Sequence, residues 1–254
     1  MINRLLPSIF LLLFMSHSNV QAAELKLAVA ANFKTTIDAI VKDFERQSPD
    51  KITVIVASSG TLFSQISHGA PYDLFLSADS ERPQLLVKQQ LALADSLFTY
   101  ALGQLAFWAP DQYLPQQHNI DSFISSQQGK LAIANPRLAP YGKSAYTYIE
   151  NRQLLDQVKS KLVRGNNVVQ TFQFVESGNA QSGLVSYSQL INAGVTNHFS
   201  LLPAQQYPKI IQQGVILSSS NNVALARQLI SFIKNHSANA ILKAGYLLEP
   251  DDVS

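Results

Sequence analysis

The sequence predicts an α/β fold built on parallel β-sheet. Three observations predict it. Short apolar strand patterns alternate with amphipathic helical ones, hydrophobic residues make up 46% of the 254 positions against 14% charged, and no solenoid-period repeat or single-residue bias interrupts the alternation. Strands separated by helices favour parallel pairing, and a chain of this length can bury an ample core as one large domain or two lobes.

The first element is not part of that fold. Met1–Ala22 reads as an export signal: Arg4 supplies the positive start, and Leu5–Met15 is an apolar stretch too short to span a bilayer comfortably. Val20-Gln21-Ala22 places small residues at a cleavage site, so the mature chain is expected to begin at Ala23. Loss of Arg4 leaves 18 basic and 17 acidic groups, a net charge of +1. That balance excludes a backbone-reading nucleic-acid protein. No later segment is apolar enough to cross a membrane, and the expectation is a soluble, exported protein.

Leu25–Ala30 reads as the first strand, and Phe33, Ile37, Ile40, Val41 and Phe44 follow at helical spacing within Phe33–Gln47. Ile52–Ala57 is a second strand, followed by a helix over Thr61–Ser67 with Leu62, Phe63 and Ile66 on one face. Asp73–Ser77 is a third strand, and Pro83 is expected to break the next helix early. Gln104–Ala109, Lys130–Ala134, Gly183–Tyr187 and Ile211–Leu217 continue the strand series. Lys143–Asn151, Val169–Ser177, Ser188–Ala193 and Asn222–Asn235 supply the helices. Composition marks no linker between lobes.

Most catalytic chemistry is excluded by inspection. With no cysteine there is no disulfide framework, thiolate metal site, iron–sulfur cluster, cysteine nucleophile or lipid-modified N-terminal cysteine. No two glycines lie within two positions of each other and no stretch matches a P-loop, so the nucleotide fingerprints are missing. The five histidines are scattered with no pair at i, i+4, and there is no G-x-S-x-G elbow. Ser231-Phe232-Ile233-Lys234 matches S-x-x-K, but Phe232 and Ile233 sit within a helix pattern and no K-T-G accompanies it. Asp251-Asp252 reads as a solvated pair on a polar tail.

What remains is a set of strand ends that deliver small or hydroxyl residues to helix starts. They are Ala30-Ala31-Asn32-Phe33, Ser58-Ser59-Gly60-Thr61, Asn135 through Gly142, and Asn166-Asn167-Val168. A helix N-terminus exposes unpaired N–H groups at the positive end of its dipole and binds anions. In open parallel sheets such loops gather at the carboxyl ends of the strands, where ligands dock. Each loop alone is an ordinary N-cap, with Ser59 expected to cap the helix near Thr61. Four together on a chain without catalytic machinery point to an anion site.

These loops, in this order, resemble the periplasmic molybdate-binding proteins of the type II solute-binding superfamily. The resemblance spans Glu24–Leu248 and rests on A-A-N-F, S-S-G with Gln65-Ile66, the stretch Gly69-Ala70-Pro71-Tyr72-Asp73-Leu74-Phe75 with Ser77-Ala78-Asp79, A-N-P…A-P-Y-G, and Ala244-Gly245-Tyr246. It implies two α/β lobes joined by two crossover strands near Tyr100–Gly103 and Pro208–Gln212, with the oxyanion between them. The lobes would comprise residues 23–101 with 210–254, and 102–209. Molybdate or tungstate would be the ligand with no cofactor, an ABC membrane permease the partner, the periplasm the location, and a monomer the expected state. The implied oxyanion contacts are Ala31, Asn32, Ser59, Tyr141 and Val168. Ser59 would donate through hydroxyl and amide, Asn32 through backbone or side chain, and the others through backbone N–H.

Two features depart from the pattern. Ala31 lacks the hydroxyl many relatives carry in the first loop, and Ser186 precedes Tyr187 where others place a ligand tyrosine directly after the strand. Ser186 and Tyr187 are therefore both kept as additional contacts. Other functions compete, binding of a different tetrahedral oxyanion among them. Ferric-iron binding through Tyr141, Tyr146 and Tyr148 lacks an accompanying carboxylate or histidine, and a serine hydrolase using Ser59 lacks an adjacent base. Arg137 and Lys143 flank the Tyr141 loop and are expected to face solvent, because a cation in the cleft would erode discrimination against other anions.

Overall fold

In the computed structural model, residues 22–111 and 120–249 are described. Most of the expected signal (Met1–Gln21) and the Asp251-Asp252 pair lie outside them. Among the described residues, ten strands form two five-stranded sheets. The first contains β1 (Glu24–Ala30), β2 (Lys51–Ala57), β3 (Leu74–Ser77), β4 (Phe98–Gly103) and β10 (Ile210–Ile216), in the order β2-β1-β3-β10-β4. The second contains β5 (Leu105–Trp108), β6 (Leu131–Ala134), β7 (Leu162–Gly165), β8 (Ser182–Ser186) and β9 (Phe199–Leu201), in the order β7-β6-β8-β5-β9. The chain leaves the first sheet after Gly103 and returns to it at Ile210.

Alternation along β1 shows why helices cover both faces. Leu25, Leu27 and Val29 enter a core with α1 (Lys34–Glu45), α9 (Val223–His236) and α10 (Ala238–Lys243), while Ala28 faces α2 (Ser59–Ser67) and α3 (Glu81–Lys88). The second sheet is covered likewise. Leu105, Phe107, Leu131 and Ile133 pack on α4 (Ile120–Ser126), α5 (Pro140–Asn151) and α6 (Leu155–Val158). Ala106, Trp108 and Ala132 pack on α7 (Val168–Glu176) and α8 (Tyr187–Asn192). Trp108 stacks on Phe172 with ring centroids 4.6 Å apart.

The sheets are mixed rather than parallel throughout. β1 runs parallel to β2 and β3, but β10 is antiparallel to both β3 and β4, and β5 is antiparallel to β8 and β9. The reversed strands are the ones at which the chain passes between sheets, where no helical crossover enforces parallel pairing. In the β4–β10 ladder Gln212 opposes Ala101 and Gln213 opposes Thr99, so Tyr100 is bulged out of register.

Two local expectations are corrected. Pro83 does not break α3, since it lies in the first turn, where a missing N–H costs no helical bond. Tyr187 begins α8 instead of ending the preceding strand. β4 is a strand separate from β5, while β7 and β9, of four and three residues, are too short to show a period.

Candidate functional site

Four of the strand-to-helix junctions converge. β1 runs into a short 3₁₀ turn, Ala31–Phe33, ahead of α1. Ser58 precedes α2, and its Oγ accepts from the Thr61 N–H at 3.2 Å. α5 starts with Pro140, which has no N–H, so Tyr141 carries its first backbone donor. Asn167 caps α7, its Oδ1 accepting from the Gln170 N–H at 2.9 Å. First-turn N–H groups have no intrahelical acceptor. The caps occupy later donors and leave those of Ser59 and Val168 at the helix tips.

Ala31, Asn32, Ser59, Tyr141 and Val168 line one small cavity. Its remaining wall is Ala30, Ser58, Ala78, Ala139, Pro140 and Asn167. No charged side chain belongs to this lining. The loops touch beside it: Gly60 N–H donates to the Leu138 carbonyl at 2.8 Å. A Cβ at Gly60 would lie 2.8 Å from that same oxygen, so glycine permits the approach.

Ser59 is not the cap of α2; Ser58 is, because the helix begins at Ser59, two residues before the apolar pattern. The Ser59 hydroxyl, almost wholly buried, accepts from the Ala78 N–H at 2.9 Å. That bond uses a lone pair and leaves the hydroxyl hydrogen to donate. The Asn32 side chain turns elsewhere: its Nδ2 donates to Gln212 Oε1 at 2.8 Å and to the Tyr246 hydroxyl at 3.2 Å. Tyr141 directs its phenol towards Gly103, where a Cβ would fall 2.3 Å from Oη. Burial raises the Tyr141 pKa well above the ordinary phenol value, with the neighbouring Tyr246 adding to it.

The two additional candidates are not among the lining residues. Ser186 Oγ hydrogen-bonds Ser188 Oγ at 2.7 Å behind the site. Tyr187 packs against the Phe199 ring, centroids 5.7 Å apart, and lies beside Gly245. Arg137 is exposed, and its carbonyl accepts from Arg82 Nη2 at 3.3 Å. Lys143 is exposed too, but pairs with Glu81 at 3.0 Å and so ties α5 to α3. Arg82, which reaches the same loop, is paired with Asp79.

Of the tyrosines considered for iron, Tyr141 and Tyr148 direct their hydroxyls to different partners. Tyr148 donates to Asp121 Oδ1 at 2.6 Å away from the cavity, and burial together with Asp121 raises its pKa. Among the described residues, no group of three histidine or carboxylate side chains is placed to hold a metal. Sequence reading missed Gln212 and Ala78. Gln212 gives no signal because one polar residue in a strand pattern reads as solvent-facing, yet it is fully buried.

The fold and its loops have known counterparts. Residues 25–247 match the family of bacterial extracellular solute-binding proteins. The molybdate-binding protein ModA of Azotobacter vinelandii is 37% identical over 233 residues, 90% of this chain and 92% of the relative. ModA of Rhodobacter capsulatus is 33% identical over 229 residues, 90% of each chain. The solved structure of the periplasmic molybdate-binding protein of Azotobacter vinelandii superposes with a TM-score of 0.82 at 33% identity, covering 88% of this chain and 99% of that one. The chain thus belongs to the bacterial extracellular solute-binding family, together with molybdate-binding members.

Proposed function

We propose that the cavity binds molybdate and tungstate as the capture step of an ABC importer. One observation carries the reading: helix and 3₁₀ N-termini from both sheets converge on a small cavity with no charged side chain in its lining. Each sheet with its helices would act as a lobe, residues 23–101 with 210–254 facing 102–209. Backbone N–H groups of Ala31, Asn32, Ser59, Tyr141 and Val168, with the Ser59 hydroxyl, would donate to the oxyanion. Hydrogen bonds to a charged group contribute ~1.5–3 kcal/mol each, so six supply roughly 9–18 kcal/mol gross. Sub-micromolar binding needs more than about 8 kcal/mol net of association and desolvation costs.

The donor-only lining also selects. Hydrogen phosphate carries an O–H that would meet another donor and leave a buried proton unpaired, whereas molybdate and tungstate near neutral pH accept at every oxygen. The ligand is taken up and released unchanged; no nucleophile with an adjacent base lines the cavity, and no resident cofactor is needed. The protein would work as an exported monomer, cleaved after Ala22, that hands its ligand to a membrane permease.

Calorimetry on the mature protein with molybdate, tungstate, sulfate and phosphate offered separately tests this. Sub-micromolar binding of the first two and none of phosphate is expected. Failure to bind molybdate, or phosphate bound equally well, overturns the reading. In cells, deletion of the chain should raise the external molybdate needed for molybdoenzyme activity.

A further inference from the structure

We infer that Gln212 is a positioning residue for this site: it holds Asn32 of the first sheet and Tyr141 of the second in the register that turns their backbone N–H groups to the cavity. The inference rests on the oxyanion reading above. Gln212 does not line the cavity, but it sits at the bulge between β10 and β4, fully buried where the chain returns from one sheet to the other.

Its amide is spoken for on both sides. Oε1 accepts from Asn32 Nδ2 at 2.8 Å, and the Tyr100 hydroxyl, 3.1 Å away, shares its one hydrogen between Oε1 and the Ser77 carbonyl at 2.9 Å. With these donors facing Oε1, Nε2 is turned towards the Tyr141 hydroxyl, 3.5 Å away. A buried amide offers two donors and two acceptor sites, and leaving them unpaired is costly, so the surroundings hold Gln212 and Gln212 holds them. The same residues are joined on their far side. The Tyr246 hydroxyl donates to the Asn32 carbonyl at 2.8 Å and accepts from Ser188 Oγ at 2.9 Å. Ser188 meets Ser186 Oγ at 2.7 Å, and Ser186 is within hydrogen-bonding reach of the Tyr141 phenol.

Asn32, Gln212, Tyr141, Ser186, Ser188 and Tyr246 thus form a buried loop of polar contacts bridging the two sheets. Only Asn32 and Tyr141 touch the cavity, and each does so with its side chain anchored in the loop. Removing the Gln212 amide takes one partner from both anchors at once. It leaves every proposed ligand-donating group in place but with less fixed direction, and preorganised donors bind better than adaptable ones.

The test compares Gln212→Leu with the parent protein in three measurements: molybdate binding by calorimetry, dissociation by stopped flow, and backbone ¹⁵N–¹H resonances of the unliganded protein. A rise of at least tenfold in the molybdate Kd is expected, carried mainly by faster dissociation, with the Asn32 and Tyr141 amide resonances displaced before ligand is added. A role confined to folding would lower the melting temperature and leave those two amides and the Kd of the folded protein alone. A Kd within twofold of the parent with unmoved amides overturns the inference. Gln212→Met, which keeps the side-chain length and removes only the amide, is the second variant and decides in the same way if Gln212→Leu does not fold. Should the parent bind neither molybdate nor tungstate, the oxyanion reading fails by itself; displaced or unmoved amides in the variant then still support or overturn the positioning role.

Discussion

Replacing Ser59 by alanine separates ligand binding from helix capping. The Ser59 hydroxyl is buried and accepts from the Ala78 N–H at 2.9 Å, which leaves its hydrogen for the oxyanion. Losing that donor removes one hydrogen bond to a charged group, ~1.5–3 kcal/mol. At 1.4 kcal/mol per decade, the Kd rises roughly 10- to 150-fold. The Ala78 N–H is orphaned with or without ligand, a cost of about 1–3 kcal/mol that lowers stability without entering the affinity. Ser58→Ala is the control: it removes the true cap of α2, costing about 1 kcal/mol of stability, and keeps the Ser59 donor. Each lost kcal/mol should lower the melting temperature by about 2–4 °C in a chain of this size. Calorimetry for affinity and thermal unfolding without ligand read the two effects apart. An unchanged molybdate Kd in Ser59→Ala would refute the assignment of the hydroxyl as a donor. A loss of affinity in Ser58→Ala as large as in Ser59→Ala would show that helix distortion accounts for both.

Other perturbations test neighbouring parts of the same structure. Gly103→Ala places a Cβ 2.3 Å from the Tyr141 Oη and 2.9 Å from Ile210 Cγ2, so the phenol must move; at least tenfold weaker molybdate binding is expected by calorimetry. Glu81→Gln and Lys143→Gln each break an ion pair that is 60% exposed on the lysine and 61% on the glutamate side. Such a pair is worth about 0–1 kcal/mol, so ligand dissociation should quicken by less than about fivefold and the effect should shrink in salt. Arg137→Gln should leave the dissociation rate unchanged; a tenfold rise in stopped flow for Arg137→Gln or Lys143→Gln would place a cation at the ligand. Finally, burial raises the pKa values of Tyr100, Tyr141 and Tyr246. These groups stay protonated in the fold while an unfolded tyrosine ionises near pH 10, so their contribution is complete below that pH and is lost as pH rises beyond it. Absorbance titration at 295 nm should show these three ionising only together with unfolding; ionisation of all nine tyrosines in the folded protein would contradict the burial.

The sequence by itself determined the α/β class and most elements, because amphipathic periods in segments such as Phe33–Gln47 and apolar runs such as Leu25–Ala30 are local properties of the chain. Strand-to-helix junctions with small or hydroxyl residues are also legible as potential donor sites before the chain is folded, and the resemblance to molybdate-binding proteins singled out Ala31, Asn32, Ser59, Tyr141 and Val168 within them. Local pattern does not carry direction, and the tertiary structure decided that. It turned the Asn32 amide and the Tyr141 phenol away from the cavity into contacts with Gln212, 180 and 71 positions distant. It made Ser58 the cap and left the Ser59 hydrogen free by supplying the Ala78 N–H, from the bend after β3, as its donor. It also ran β10 against β3 and β4, a pairing set by where the chain returns from the second sheet. Hydrogen bonds between residues this far apart in sequence depend on which loops the packed sheets bring within 3 Å, and no periodicity along the chain records that.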